Sequence, residues 1–333
     1  MGLINKSNSK ALEVHIPDQQ NEHNAPPPAY SLEGESSNAN SMLHTAHLPA
    51  FYLEYGGQLG EAFRPPAYPP PRGSHVEPLY VEASLEDFKL GEQFCQNYPL
   101  YASGPPQPDR LQQSNSGLIN LVTPPSLGMR HIQRSRRFKG HLQSGKGDGT
   151  TYVRSEHDSP DTVLISDVPL HFALAGEEIK KETVYYEIII VSLGNPNDST
   201  VALGFACLPY PPFRLPGWHR GSIAIHSDDG RLYVNDSLNG KDFSAPLKSG
   251  ETIGLGIDFG RQIVFLTRNG KLDGEFSLLT SGPGIDESRN FQDGKVQGVD
   301  GTLDVFAAVG VCGTAGIIVN FGARLPFKYN LAK

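Results

Sequence analysis

From about residue 125 onward, apolar residues fall in short runs bounded by Gly, Asn, Asp or Pro. Such runs, rich in β-branched and aromatic residues, read as strands. The strongest is Tyr185-Tyr186-Glu187-Ile188-Ile189-Ile190-Val191. Others are Val201 to Phe205, Ser222 to His226, Thr252 to Phe259, Ile263 to Thr267, Asp304 to Val311 and Gly316 to Phe321. Between Thr252 and Phe259, Ile253, Leu255, Ile257 and Phe259 alternate with small or polar residues. A period of two puts all four on one sheet face. Asn269-Gly270 predicts a tight hairpin after the run Ile263 to Thr267, and Asn239-Gly240 is a second turn candidate. No amphipathic helix pattern follows any of these runs, which disfavours βαβ crossovers and predicts an all-β fold, a two-sheet antiparallel β-sandwich.

The first part of the chain lacks such patterning. Residues 1 to about 120 are rich in Asn, Ser, Gln, Pro and Gly, and 17 of the 27 prolines precede residue 126. The apolar share of the whole chain, 38%, is low for a chain that folds throughout. The expected organisation is a largely disordered, proline-rich tail over 1–124, a sandwich domain over 125–327 and a short C-terminal tail over 328–333. Two apolar islands, Phe51-Tyr52-Leu53 and Tyr80-Val81, interrupt the long tail.

The net charge of −8 and the lack of a basic arm argue against a nucleic-acid partner. Cys95, Cys207 and Cys312 stand too far apart for metal-ligand spacing, and an odd, sparse set suits a reducing compartment. No metal or other cofactor is expected. No apolar run reaches the ~18 residues of a membrane span, so no transmembrane anchor is expected and the chain is placed in the cytoplasm. The start, Met-Gly, meets the myristoylation pattern except at position 6, where Lys6 stands instead of Ser or Thr.

Candidate chemistry is thin. The segment Gly140 to Gly147 is one residue from a phosphate-binding P-loop, but Gly147 replaces the Ser or Thr that ligates magnesium. Gly254, Gly256 and Gly260 lack dinucleotide-loop spacing, and glycines in an alternating strand point to close packing. Asp228 and Asp229 beside His226 are paired carboxylates near an imidazole, yet Ser-Asp-Asp-Gly is ordinary turn chemistry and no third partner completes an acid–base set. No nucleophile or zincin signature occurs, so no catalytic residue is assigned.

The segment Leu215-Pro216-Gly217-Trp218-His219-Arg220-Gly221-Ser222-Ile223-Ala224-Ile225-His226-Ser227-Asp228-Asp229-Gly230 resembles the signature of SPRY domains. Three further segments fit in order: Tyr185 to Ile188, the hairpin Ile263 to Gly270, and the closing runs Ala308 to Val311 and Val319 to Gly322. Ile225 before His226 departs from the Tyr or Ala usual there. The resemblance covers about residues 130 to 325. It implies a sandwich that presents loops at one end to peptides or proteins. The candidate client-binding residues are Tyr210, Pro211, Pro212 and Phe213, leading into Leu215 and Trp218. Two rings in a proline-stiffened loop form a pre-organised hot spot, or else they cover the end of the sandwich. Trp218 is either core packing or an anchor beside the loops.

The tail carries a second motif twice, as Pro27-Pro28-Ala29-Tyr30 and Pro65-Pro66-Ala67-Tyr68. Two prolines favour a polyproline II helix at little entropic cost, which lays a proline face on the aromatic groove of a WW domain. The tyrosine fills a neighbouring pocket. The two tyrosines are 38 residues apart, a flexible span of roughly 31–37 Å that reaches two WW domains on one partner. Pro69-Pro70-Pro71-Arg72 is an alternative SH3 ligand without the best arginine register. A SPRY domain with such a tail is similar to fungal adaptors of HECT-class ubiquitin ligases, which bring membrane-protein cargo to the ligase for endosomal and vacuolar sorting. Those adaptors carry an N-terminal transmembrane helix, which is not expected here. The resemblance implies Pro27, Pro28, Tyr30, Pro65, Pro66 and Tyr68 as the WW-binding residues, a HECT-class ligase as partner, and an unidentified protein or peptide client on the SPRY domain. Lys6, Lys10 and Lys89 are candidate acceptors of ubiquitin. The competing reading keeps a SPRY scaffold in a larger complex and makes the tail a passive linker.

Overall fold

A computed structural model describes residues 84–124, 136–176, 181–238, 240–279 and 296–331. Among the described residues, fourteen strands form two sheets in which every pairing is antiparallel. The strands are β1 (Leu121–Val122), β2 (Gly140–Ser144), β3 (Thr150–Ser155), β4 (Thr162–Ser166), β5 (Thr183–Leu193), β6 (Thr200–Ala206) and β7 (Ser222–His226). They continue as β8 (Arg231–Val234), β9 (Lys241–Asp242), β10 (Thr252–Asp258), β11 (Ile263–Arg268), β12 (Lys271–Ser277), β13 (Phe306–Cys312) and β14 (Ala315–Asn320). Sheet A runs β1-β4-β13-β6-β7-β8-β9 and sheet B runs β12-β11-β10-β5-β14-β3-β2.

The two sheets meet on their inward-facing residues. Leu203, Phe205, Ile223, Ile225 and Val309 from sheet A pack with Tyr186, Ile188, Ile190, Leu255, Ile317 and Val319 from sheet B. The fully buried Tyr186 crosses between them: its Oη donates to Gly204 O at 2.6 Å and accepts from Gly204 N at 3.1 Å. A buried hydroxyl needs such partners, and here they join the two layers. The alternation expected in β10 holds for Ile253, Leu255 and Ile257, which are buried. Phe259 lies just past the strand and packs on His171, ring centroids 4.0 Å apart.

On the opposite face of β10, a Cβ at Gly254 would lie 1.9 Å from Tyr185 Oη, and one at Gly256 would lie 2.2 Å from the Phe265 ring. The glycines thus let these two rings stack flat on the sheet, 5.7 Å apart and 4° from parallel. Phe327 and Tyr329 close over Tyr185. Beneath them the buried Glu187 carboxylate accepts hydrogen bonds from Tyr185 Oη, Lys328 N and Tyr329 N at 2.8–3.0 Å. Residues 328–331, expected to lie outside the domain, are therefore part of it. A buried carboxylate needs donors, and the backbone there supplies two.

The other correction is at the N-terminal boundary. Residues 84–124, read from composition as the end of an unfolded tail, form helices α1 (Leu85–Asn97) and α2 (Pro108–Asn115) and strand β1. Ser84 caps α1 by accepting from Asp87 N at 3.1 Å. Strand β1 pairs with β4, Leu121 opposite Ser166. Both helices are too short and polar to be stable alone, and tertiary contacts decide them. Phe94 and Gly91 are buried in α1 and Ser114 in α2.

Asn269 (φ 53°) and Gly270 (φ 80°) form the turn between β11 and β12, as expected. The segment resembling a P-loop is strand β2 and the turn into β3, with Asp148 accepting from Thr150 N. Of the second turn candidate, Asn239 lies outside the described residues.

Candidate ligand surface on the loop between β6 and β7

The outer face of sheet A is lined with small side chains: Ala202, Gly204 and Ala206 in β6, Ala224 in β7, and Ala308 and Gly310 in β13. The loop 207–221 lies flat on that face. A Cβ on Gly310 would stand 2.6 Å from Pro216 Cδ and 2.8 Å from Leu215 Cδ2. Tyr210 packs with Val163, Ile165, Ala206 and Ala308, and Leu215 packs with Ala202 and Ala224. Tyr210 Oη donates to Leu215 O at 2.6 Å and accepts from His219 N at 3.2 Å. Gly217, at φ 91°, makes the turn that returns the chain to β7, and its N–H donates to Ser222 Oγ at 2.8 Å.

This geometry places the residues of the candidate loop. Tyr210, Pro211, Phe213 and Leu215 are buried against the domain itself. Tyr210 and Leu215 lie over sheet A, where the small residues beneath leave room for their side chains. Pro212 and Trp218 are half-buried and remain at the surface.

Beneath Trp218 lies a residue that the pattern did not single out. Arg214 is fully buried, and its guanidinium sits 4.4 Å from the centre of the Trp218 ring. Arg214 Nε donates to His219 Nε2 at 3.0 Å, and His219 Nδ1 faces Glu92 Oε1 of α1 at 2.8 Å. Since arginine can only donate, Nε2 is the acceptor and Nδ1 carries the proton. His219 is thus neutral; burial lowers its pKa below the ordinary 6.5, opposed by the bond to Glu92. The same bond lowers the Glu92 pKa. Arg214 Nη1 and Nη2 and Trp218 Nε1 are buried without a hydrogen-bond partner. The half-buried Asp161 lies close enough for its charge to bear on Arg214, and burial raises its pKa.

The face is completed from α1. Arg220 donates to Cys95 O, Tyr98 O and Pro209 O, and Gly91 lies so close to the His219 ring that a Cβ would fall 2.3 Å from Nε2. The His226 ring lies between Trp218 (5.4 Å) and Tyr233 (4.3 Å), and its Nε2–H donates to Pro216 O at 3.0 Å. Asp229 accepts from Arg231 N and Tyr233 Oη. These are turn and packing roles. Among the described residues no group of His, Cys, Asp and Glu has the arrangement of a metal site, and no helix is long and apolar enough to cross a membrane. The WW-binding candidates Pro27, Pro28, Tyr30, Pro65, Pro66 and Tyr68 lie outside the described residues.

Part of the chain is similar to known proteins. Residues 183–282 match the SPRY domain family. A SPRY domain-containing protein of Schizosaccharomyces pombe is 40% identical over 90 residues, 27% of this chain and 23% of that protein. Protein SSH4 of Saccharomyces cerevisiae is 33% identical over 107 residues, 32% of this chain and 18% of that protein. The match thus spans less than a quarter of either relative. A crystal structure of a human SPRY domain aligns over 56% of this chain and 98% of its own, with 26% identity and a TM-score of 0.37. The chain therefore carries a SPRY domain at residues 183–282, inside a sandwich whose strands begin before that stretch and end after it.

Proposed function

We propose that the protein is a non-catalytic adaptor in which the SPRY domain holds a client protein and the two Pro-Pro-Ala-Tyr motifs recruit a WW-domain ubiquitin ligase of the HECT class, in the cytoplasm or at endomembranes. The observation that carries this reading is the presence of two identical motifs, ending at Tyr30 and Tyr68, in one chain with a protein-interaction domain. Sequence similarity of the SPRY segment to fungal SSH4 proteins supports it. On the folded side, the surface offered to a client is the half-buried Trp218 and Pro212, with the unpartnered donors of Arg214 and Trp218 beneath.

The test is fluorescence-anisotropy binding of a labelled tandem WW fragment from a HECT ligase to the full chain, beside Tyr30→Ala, Tyr68→Ala and the double variant. Micromolar binding that each single change weakens and the double abolishes supports a bivalent adaptor. Binding that is absent or indifferent to both tyrosines overturns the ligase link.

A further inference from the structure

A second concave site lies at the junction of α2, β5 and the C-terminal segment. Its volume is about 230 Å³, and Ser114, Lys181, Thr183, Tyr185, Phe327 and Leu331 are among its walls. Lys181 is the one cation among its lining residues. The ammonium is half-buried and, among the described residues, is held by neutral oxygens of the last turn of α2: Ser114 O at 2.8 Å and Ser114 Oγ at 3.2 Å. Among the described residues no carboxylate pairs with it. An ammonium taken partly out of water without a counter-charge loses the hydration that keeps it protonated.

We propose that Lys181 is an acyl-acceptor site, whose amine takes small acyl groups from thioesters that enter this cavity. The neutral Nζ attacks the thioester carbonyl carbon, the N–C bond forms and the C–S bond breaks. The thiolate leaves with the electron pair and the displaced amine proton neutralises it. The amide product keeps one N–H, which suffices for the bond to Ser114 O, while the acyl group occupies the cavity. Burial lowers the Lys181 pKa to about 8, so about a tenth of the amine is neutral at pH 7, where an exposed lysine is almost wholly protonated.

The experiment exposes the full chain to the small acetyl thioester N,S-diacetylcysteamine from pH 7 to 10 and follows each lysine by peptide mass spectrometry. Lys180→Arg in the background makes the assignment to Lys181 unambiguous. At pH 7, Lys181 is expected to be acetylated at least about tenfold faster than the exposed Lys89 and Lys271, with a rate that levels off above about pH 8. Leu331→Trp, which fills the cavity from the chain end, should slow Lys181 and leave Lys89 unchanged. A rate equal to that of the exposed lysines, a rate that climbs with theirs to pH 10, or indifference to Leu331→Trp would each overturn the proposal.

Discussion

The His219 imidazole and the Glu92 carboxylate meet at 2.8 Å, and this contact joins α1 to the loop between β6 and β7. It is the outer end of a chain that runs inward through His219 Nε2 to the buried guanidinium of Arg214. A proton added to His219 must go on Nε2, where Arg214 already points its own N–H.

This relay makes stability depend on acid. The folded pKa of His219 lies below 6.5, so the unfolded chain takes up its proton first and stability falls as the pH drops below about 6.5. Glu92, with its lowered pKa, adds stability above its ordinary value of 4.5 and loses it as the pH falls through the folded value. Urea unfolding at pH 7.5 and pH 5.5 should show the loss. Glu92→Gln removes the group that raises the His219 pKa, and should cost about 1 kcal/mol at pH 7.5 for a half-exposed partner. A midpoint that does not move with pH would show that His219 carries no such linkage.

Arg214 should cost stability where it stands. Two unpartnered terminal nitrogens in a fully buried guanidinium are expensive, whereas an apolar side chain of similar length is not. Arg214→Met is expected to be as stable as the parent or more so by thermal unfolding, and Arg214→Ala less stable by about 2–4 kcal/mol through the cavity it leaves. A strongly destabilised Arg214→Met would mean that the bond to His219 and the contact with Trp218 outweigh the desolvation.

Glu187 gives the clearest test of the C-terminal boundary. Its carboxylate is buried and takes two of its three hydrogen bonds from the backbone of residues 328 and 329. Deleting residues 328–333 strands that charge and uncovers Tyr185 and Phe265, and is expected to cost about 3–5 kcal/mol. Adding Glu187→Leu to the deletion should restore part of the loss. A deletion with an unchanged melting temperature would return these residues to the status of a tail.

At the β11–β12 turn, Gly270 has φ 80°, and a Cβ there would lie 2.7 Å from Lys328 O. Gly270→Ala should therefore destabilise by more than the ~1 kcal/mol of backbone strain alone. Asn269→Gly, which accepts the same conformation, should cost less, as chemical denaturation will show.

The strands of the sandwich and its Asn269-Gly270 hairpin were legible because period-two alternation and turn chemistry are local signals. The extent of the fold was not. Helix α1 has a Ser84-x-x-Asp87 start that a reader of sequence can find, but its buried side is little more than Phe94 and Gly91, set by contact with His219. Nothing local marks Lys328 and Tyr329 as the donors to Glu187, because that partnership spans about 140 positions. In the candidate loop, the sequence showed aromatic residues and a proline-stiffened path but not which way they turn. That depended on Ala202, Ala224 and Gly310, small residues on three different strands.

Helix α1 is fastened to the sandwich from Ser84 onward, and only 16 positions along the chain separate Ser84 from Tyr68 of the second Pro-Pro-Ala-Tyr motif. Covalent geometry limits that separation to about 55 Å, and the longer stretch back to Tyr30 to more than three times that distance. Under the proposed function, a ligase seated on Tyr68 would be confined to what the SPRY surface holds nearby, and one seated on Tyr30 would have the wider covalent limit. Under that proposal the two identical motifs are unequal in the distance over which each could bring a partner.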